Sequence, residues 1–117
     1  MLDNNHTSDS YPFAEGIRLF NTQRFFEAHE VLEDVWREAP AAEKKFLQGL
    51  IQAAVAFHHH SSGNVVGARS LLARAHRNLS GFHEQCRGIH LEPLLESLAR
   101  WQAALEDDQP VPPLPRI

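Results

Sequence analysis

The sequence predicts an all-α domain of about five helices: two antiparallel helical hairpins of tetratricopeptide-like shape, with a fifth helix packed across them. Three observations predict it. Apolar residues recur at three- and four-residue spacing in five successive segments between Phe13 and Leu105. Short polar, glycine or proline breaks separate those segments. Two of the segments also align with each other at an offset of 40 residues.

Residues 1–10, MLDNNHTSDS, are polar and lack an apolar period, and are expected to be a disordered start. Ser10 can cap a first helix near Pro12, since proline is tolerated in a first turn. Phe13, Ile17 and Phe20 mark its buried side, and Asn21-Thr22-Gln23 reads as a tight turn. The second helix is expected from about Arg24 to Glu38, with Phe25, Ala28, Leu32, Val35 and Trp36 on one side, and Pro40 closes it. The third, from about Ala42 to His60, is the most apolar segment. Apolar residues on nearly every side place it at the centre of the fold. Ser61 to Asn64 is a loop, with Gly63 a left-handed stop and Asn64 the cap of a fourth helix, Val65 to Leu79. Residues 81–90 read as a turn of helix and a loop around Gly88. The fifth helix runs from about Glu92 to Glu106. The helices form a single domain over residues 11–107, and residues 108–117 form a proline-rich tail with polyproline II character. Its PPLPR stretch resembles a ligand for aromatic-lined grooves, but a tail that packs on its own domain or stays mobile is the simpler expectation.

The repeat sets Phe25-Phe26-Glu27-Ala28, Leu32 and Val35 against Val65-Val66-Gly67-Ala68, Leu72 and Ala75. Small alanines at matching places let paired helices approach closely. Pro40 falls where a tetratricopeptide repeat closes, although the offset exceeds that repeat's usual length of about 34 residues.

With 43% hydrophobic and 22% charged residues, 117 residues can bury one core. A formal net charge of −4, with no basic run interleaved with aromatics, argues against nucleic-acid binding, including through Arg69, Arg74 and Arg77. The single cysteine, Cys86, cannot form an internal disulfide, and no secretion signal or apolar run of about 18 residues is present. The expectation is a cytoplasmic protein without a membrane segment.

Polar groups usable for chemistry concentrate in the second and third helices. His29 and Glu33 are four apart and stack on one helix face, with Trp36 a turn further on. Gln48, Gln52 and His59 share a stripe of the third helix. If the stripes face each other, they line a small polar pocket of His29, Glu33, Gln48, Gln52 and His59, walled by Trp36 and Phe57. That pocket is either a hydrogen-bond network that fixes helix packing or a ligand site. No cofactor is expected. A divalent metal would use His29 and Glu33 with one of His58, His59 or His60, His59 sharing the polar stripe, and the H-E-V-L-E segment lacks the second histidine of the H-E-x-x-H zinc motif. Glu30 and Asp34 form a like-charged pair on a solvated face, where Arg37 can offset the repulsion.

The E-A-H-E-V-L-E-D-V-W block, the L-Q-G-L-I-Q block and the later G-N-V-V-G-A together resemble the bacterial and archaeal family called domain of unknown function 309, over about residues 13–105. Its pattern falls on Glu27, His29, Glu30, Glu33, Trp36, Gln48, Gly49, Gln52, Gly63, Asn64, Gly67 and Ala68. The resemblance implies a compact all-helical fold and no particular reaction. The functional expectation is an interaction module, a homo-oligomer or a binder of a protein partner, whose polar pocket is structural. The alternative is small-molecule binding or metal-dependent hydrolysis at His29, Glu33 and Gln52.

Overall fold

The computed structural model describes residues 3–82 and 85–117, with side chains from residue 11 onward. The fold is all-α. Five helices, α1 (Asp3–Asn21), α2 (Phe25–Glu38), α3 (Ala41–Ser61), α4 (Val65–Leu79) and α5 (Leu91–Glu106), follow in order, with a short hairpin of β1 (Gln85–Cys86) and β2 (Ile89–His90) ahead of α5. Each helix packs on its successor. The connections within α1–α4 are only two or three residues long, so neighbouring helices run antiparallel. Among the described residues, no helix is long and apolar enough to cross a membrane. α1 starts upstream of the expected point near Pro12, which lies inside it. Met1 and Leu2, part of the stretch expected to be disordered, lie outside the described residues, as do His83 and Glu84.

The repeat recurs in the backbone. At the end of α3, the amide of Asn64 donates to His59 O (2.8 Å) and that of Gly63 to His60 O (3.0 Å), with Gly63 at φ +84°. This pattern is a Schellman stop, which satisfies carbonyls the helix leaves orphaned. Forty residues earlier, Arg24 donates to Leu19 O (2.9 Å) and Gln23 to Phe20 O (3.0 Å), with Gln23 at φ +66°. Asn64 then caps α4 by accepting from the Gly67 amide at 2.9 Å, as the sequence predicts. Arg24 holds the corresponding place before α2 without a side-chain cap bond. Gln23 therefore adopts the left-handed geometry that Gly63 takes at little steric cost. Replacing Gln23 by glycine is expected to raise stability by about 0.5–1 kcal/mol net, since strain relief outweighs the added unfolded-state entropy. Chemical denaturation of the two proteins measures the difference.

α3 turns Phe46, Leu47, Leu50, Ala53, Ala54, Ala56 and Phe57 into the core. It is not enclosed on every side, however. Gln48 is exposed and Gln52, Val55 and His59 are half-buried, so one stripe of α3 stays open between α2 and α4. Behind α3, Phe57 meets Phe20 of α1 (6.2 Å between ring centroids), Phe25 of α2 (5.3 Å) and Trp101 of α5 (5.0 Å). One aromatic thus ties three helices to the central one.

The proline-rich tail folds back onto its own domain. The Trp101 indole donates to Pro113 O at 3.1 Å, the Ile117 amide donates to Asn21 Oδ1 at 2.7 Å, and Leu114 and Ile117 pack on the core. Between α4 and α5, Arg87 and Gly88 form a two-residue turn with φ of +51° and +80°, where the sequence predicts only a loop. Arg87 Nε donates to Glu43 Oε1 at 2.6 Å, and its guanidinium lies 5.0 Å from the Phe13 ring. The hairpin is thereby pinned across α1 and α3.

Candidate functional site

The polar block of α2 lies on the α3 side of that helix. His29 Nδ1 sits 2.6 Å from Phe26 O, and its Nε2 is 3.8 Å from Glu33 Oε1. The expected His29–Glu33 pair therefore forms, at the long end of ion-pair range. Its imidazole is 18% exposed and the carboxylate 46% exposed, so the pair sits at the rim rather than inside. Phe26 is 50% exposed, with its ring 4.9 Å from the His29 ring and 5.2 Å from that of His58. An aromatic side chain is thus clamped between imidazoles from two helices while half of it meets solvent.

One turn beyond Glu33, Trp36 is partly buried and its indole N–H has no hydrogen-bond partner among the described residues. Lys44 lies 4.2 Å from the centre of the Trp36 ring and donates to Trp36 O (2.6 Å) and Arg37 O (3.3 Å). It therefore closes the C-terminal end of α2, where a cation suits the helix dipole. Arg37 pairs with Asp34, which offsets the Glu30/Asp34 repulsion.

The remaining candidates on α3 have other partners. Gln52 accepts from Asn78 Nδ2 of α4 at 2.8 Å, His59 Nδ1 lies 3.5 Å from Asn64 Nδ2, and Gln48 is exposed. Among the described residues no polar or charged side chain is buried, and no three His, Cys, Asp or Glu side chains are grouped to hold a metal. The residues expected to line a small pocket lie along one open face, with His29, Glu33 and Trp36 on α2 and Gln48, Gln52 and His59 on α3, whereas Phe57, expected as a wall of that pocket, is buried on the opposite arc of α3 against Phe20, Phe25 and Trp101. The reason is helical phase. Gln48, Gln52, Val55 and His59 fall within about 60° of one another on α3, opposite the arc that packs against α1 and α5.

Phe26 and Asn78 belong to this face and are not among the residues the sequence marks for it, while His58, one of the three histidines open as a ligand, joins it through Phe26. Phe26 carried a signal, since an aromatic one residue beyond the buried Phe25 stands about 100° off the apolar stripe. No sequence signal links Asn78 to Gln52, 26 residues away. Cys86 has no catalytic setting: burial pushes its thiol pKa up and Glu43 adds to that, so the nucleophilic thiolate is disfavoured.

A groove of ≈ 430 Å³ between α4 and α5 has Val66, Arg69, Ser70 and Ala73 on its α4 side. At the 40-residue offset these match Phe26, His29, Glu30 and Glu33. The repeat therefore puts the same positions beside the open face at α2 and in a groove at α4, and only the α2 set carries the His-Glu pair.

The α2 and α3 segments that form this face also carry a family match. The profile described as Domain of unknown function (DUF309) covers residues 13–71, from α1 into α4. The chain belongs to the DUF309 family. The uncharacterized protein YpuF of Bacillus subtilis (strain 168) is 39% identical to this DUF309 protein over 72 residues, 61% of this chain and 41% of YpuF. An uncharacterized protein of Aquifex aeolicus (strain VF5) is 37% identical over 73 residues, 62% of this chain and 22% of its own length. The DUF309 chain thus spans less than half the length of either relative. The family match ends inside α4, so the hairpin, α5 and the proline-rich tail lie beyond it.

Proposed function

We propose that this protein is a small helical interaction module, and that the open face of α2, α3 and α4 is its docking surface. One observation carries the proposal: the polar block of α2 and α3 surrounds a half-exposed, histidine-clamped Phe26 on an open face, with no polar side chain buried among the described residues. A site for chemistry on a small molecule needs a concavity that excludes water and converging polar groups. An open face with one aromatic anchor and a polar surround fits a macromolecular partner better. Short antiparallel hairpins of tetratricopeptide-like shape suit such a role, because they present a rigid surface whose side chains are already ordered.

The test is site-specific photo-crosslinking inside cells. A photoreactive phenylalanine at Phe26 or Val55 is expected to give discrete crosslinked products, and one at exposed Ala99 on α5 is not. Equal yields from all three positions, or none from the α2/α3 positions, would refute the docking surface.

A further inference from the structure

We infer that the end of the bundle around Trp101 is a groove that reads proline-rich segments. The chain's own tail is its resident ligand, and a partner protein carrying a segment of the same pattern displaces it. This surface is distinct from the open α2/α3 face, which it meets at His58. Residues 109–117 take no helix or strand, and Pro110, Pro112, Pro113 and Pro115 each fix φ near about −65°. Such a chain favours the polyproline II helix, with about three residues per turn. Burial along the tail keeps that period. Pro110, Pro113 and Arg116 are exposed, Pro112 and Pro115 are half-buried, and Leu114 and Ile117 pack on the core. Val111, in register with Leu114 and Ile117 and 38% exposed, lines the adjoining cleft. Two faces of the tail therefore turn to the domain and the third to solvent, the arrangement of a polyproline II ligand in a groove.

The groove supplies what such a ligand needs. Polyproline II makes no internal hydrogen bonds, so its backbone groups stay open to outside partners. The Trp101 indole N–H takes the Pro113 carbonyl at 3.1 Å, and Asn21 Oδ1 accepts from the Ile117 amide at 2.7 Å. The His60 ring stands perpendicular to that of Trp101, 4.9 Å away, and helps to hold the indole in place. Phe25, Phe57 and Trp101 form the apolar wall, and a cleft of ≈ 310 Å³ remains between them and the tail. What is read is one backbone carbonyl, one amide and apolar side chains at three-residue spacing. In V-P-P-L-P-R-I the pattern is apolar-Pro-x-apolar-Pro-x-apolar. None of these contacts requires that the ligand belong to the same chain.

The tail is also built to leave. No residue from 109 to 117 is buried. α5 is completed before the tail begins, since the Gln109 amide donates to Ala104 O at 2.8 Å with Asp108 at φ +54°. The tail can therefore detach without unwinding α5. A segment tethered by so short a linker has an effective concentration of millimolar order, so the tail competes with any segment arriving from outside. The apparent affinity for a partner then falls by the fraction of molecules whose groove is free.

A fluorescently labelled peptide of residues 109–117, QPVPPLPRI, tests this on the full chain. Two variants loosen the tail and leave the helices' side of the groove intact: Leu114→Ser with Ile117→Ser, and Pro112→Gly with Pro115→Gly. Circular dichroism checks that each stays folded. Both are expected to bind the peptide at least about 10-fold more tightly than the wild type, whose own tail competes. A peptide with Pro112→Ala, Pro113→Ala and Pro115→Ala is expected to bind several-fold more weakly, because the polyproline II form is no longer preset. In proton–nitrogen spectra the Trp101 indole signal is expected to shift in the loosened proteins and to return toward its wild-type position when the peptide is added, with Trp36, the other tryptophan, as reference. Folded, loosened proteins that ignore the peptide, a wild type that binds it as tightly as they do, an alanine peptide that binds equally well, or an unmoved Trp101 signal would each overturn the groove. A wild type that dimerises, in dimers that the peptide dissolves, would overturn the separate partner and assign the groove to the tail of a second copy.

Discussion

Phe57→Ala is expected to lower stability by about 3–5 kcal/mol, the usual cost of emptying a buried phenylalanine site. For a chain of this size that is a fall in melting temperature of about 10–20 °C. Phe57 is 2% exposed, and its ring touches those of Phe20, Phe25 and Trp101 at 6.2, 5.3 and 5.0 Å. Its loss therefore removes apolar burial and three aromatic contacts together. The cavity cannot readily collapse, because the surrounding rings belong to three different helices. Damage also reaches the tail, since Phe25, Phe57 and Trp101 line the cleft of ≈ 310 Å³ beside Val111, Pro112 and Leu114. Phe57→Leu keeps most of the volume and is expected to cost less than about 1.5 kcal/mol. Thermal and urea denaturation of both variants measures the difference. A Phe57→Ala protein no less stable than Phe57→Leu would show that the aromatic hub does not hold the helices together.

Gly49→Ala is expected to destabilise as well, although alanine is the better helix former by about 1 kcal/mol. The reason is close approach of α3 and α4. A Cβ at position 49 would lie 2.6 Å from Leu79 Cγ, 2.9 Å from Leu79 Cδ2 and 3.4 Å from Ala75 O. Leu79 is fully buried and has little room to move. Overpacking of this kind costs about 1–3 kcal/mol. The net loss is about 1–2 kcal/mol at the upper end of that range, and Gly49→Val loses more because its branched side chain adds volume at the same contact. Gly49→Ala combined with Leu79→Ala separates clash from propensity. If overpacking is the cause, the double variant loses less than the two single losses added together.

Both substitutions probe contacts that stand behind the open face. Phe57 and Gly49 project from the buried arc of α3, and Gln48, Gln52 and Val55 from the arc facing away from it. Loss of crosslinking at Phe26 in a Phe57 or Gly49 variant would therefore report a disturbed scaffold.

Local chemistry carried much of the fold in the sequence. α4 begins and ends where the cap at Asn64 and the periodicity place it, and α2 and α3 agree with their expected bounds within one residue. Such signals are legible because stripe spacing, capping residues and the left-handed stop at Gly63 act within one helix or one turn. The hairpin at Arg87-Gly88 was harder to foresee, because two-residue strands leave too little pattern for periodicity to register.

The sequence by itself determined the class, the helix order, the turn at Gly63 and the His29–Glu33 pairing, since each depends on residues at most a few positions apart. Only the tertiary structure decided which way the polar stripes point. Gln48, Gln52 and His59 occupy a stripe of an otherwise apolar helix, and that pattern fits an internal wet pocket or an open face equally well. The choice depended on where α1 and α5 came to lie, because they cover the Phe46–Phe57 side of α3 and leave the opposite side open. The return of the tail onto Trp101 and Asn21 was decided in the same way, by contacts up to 96 residues apart in sequence.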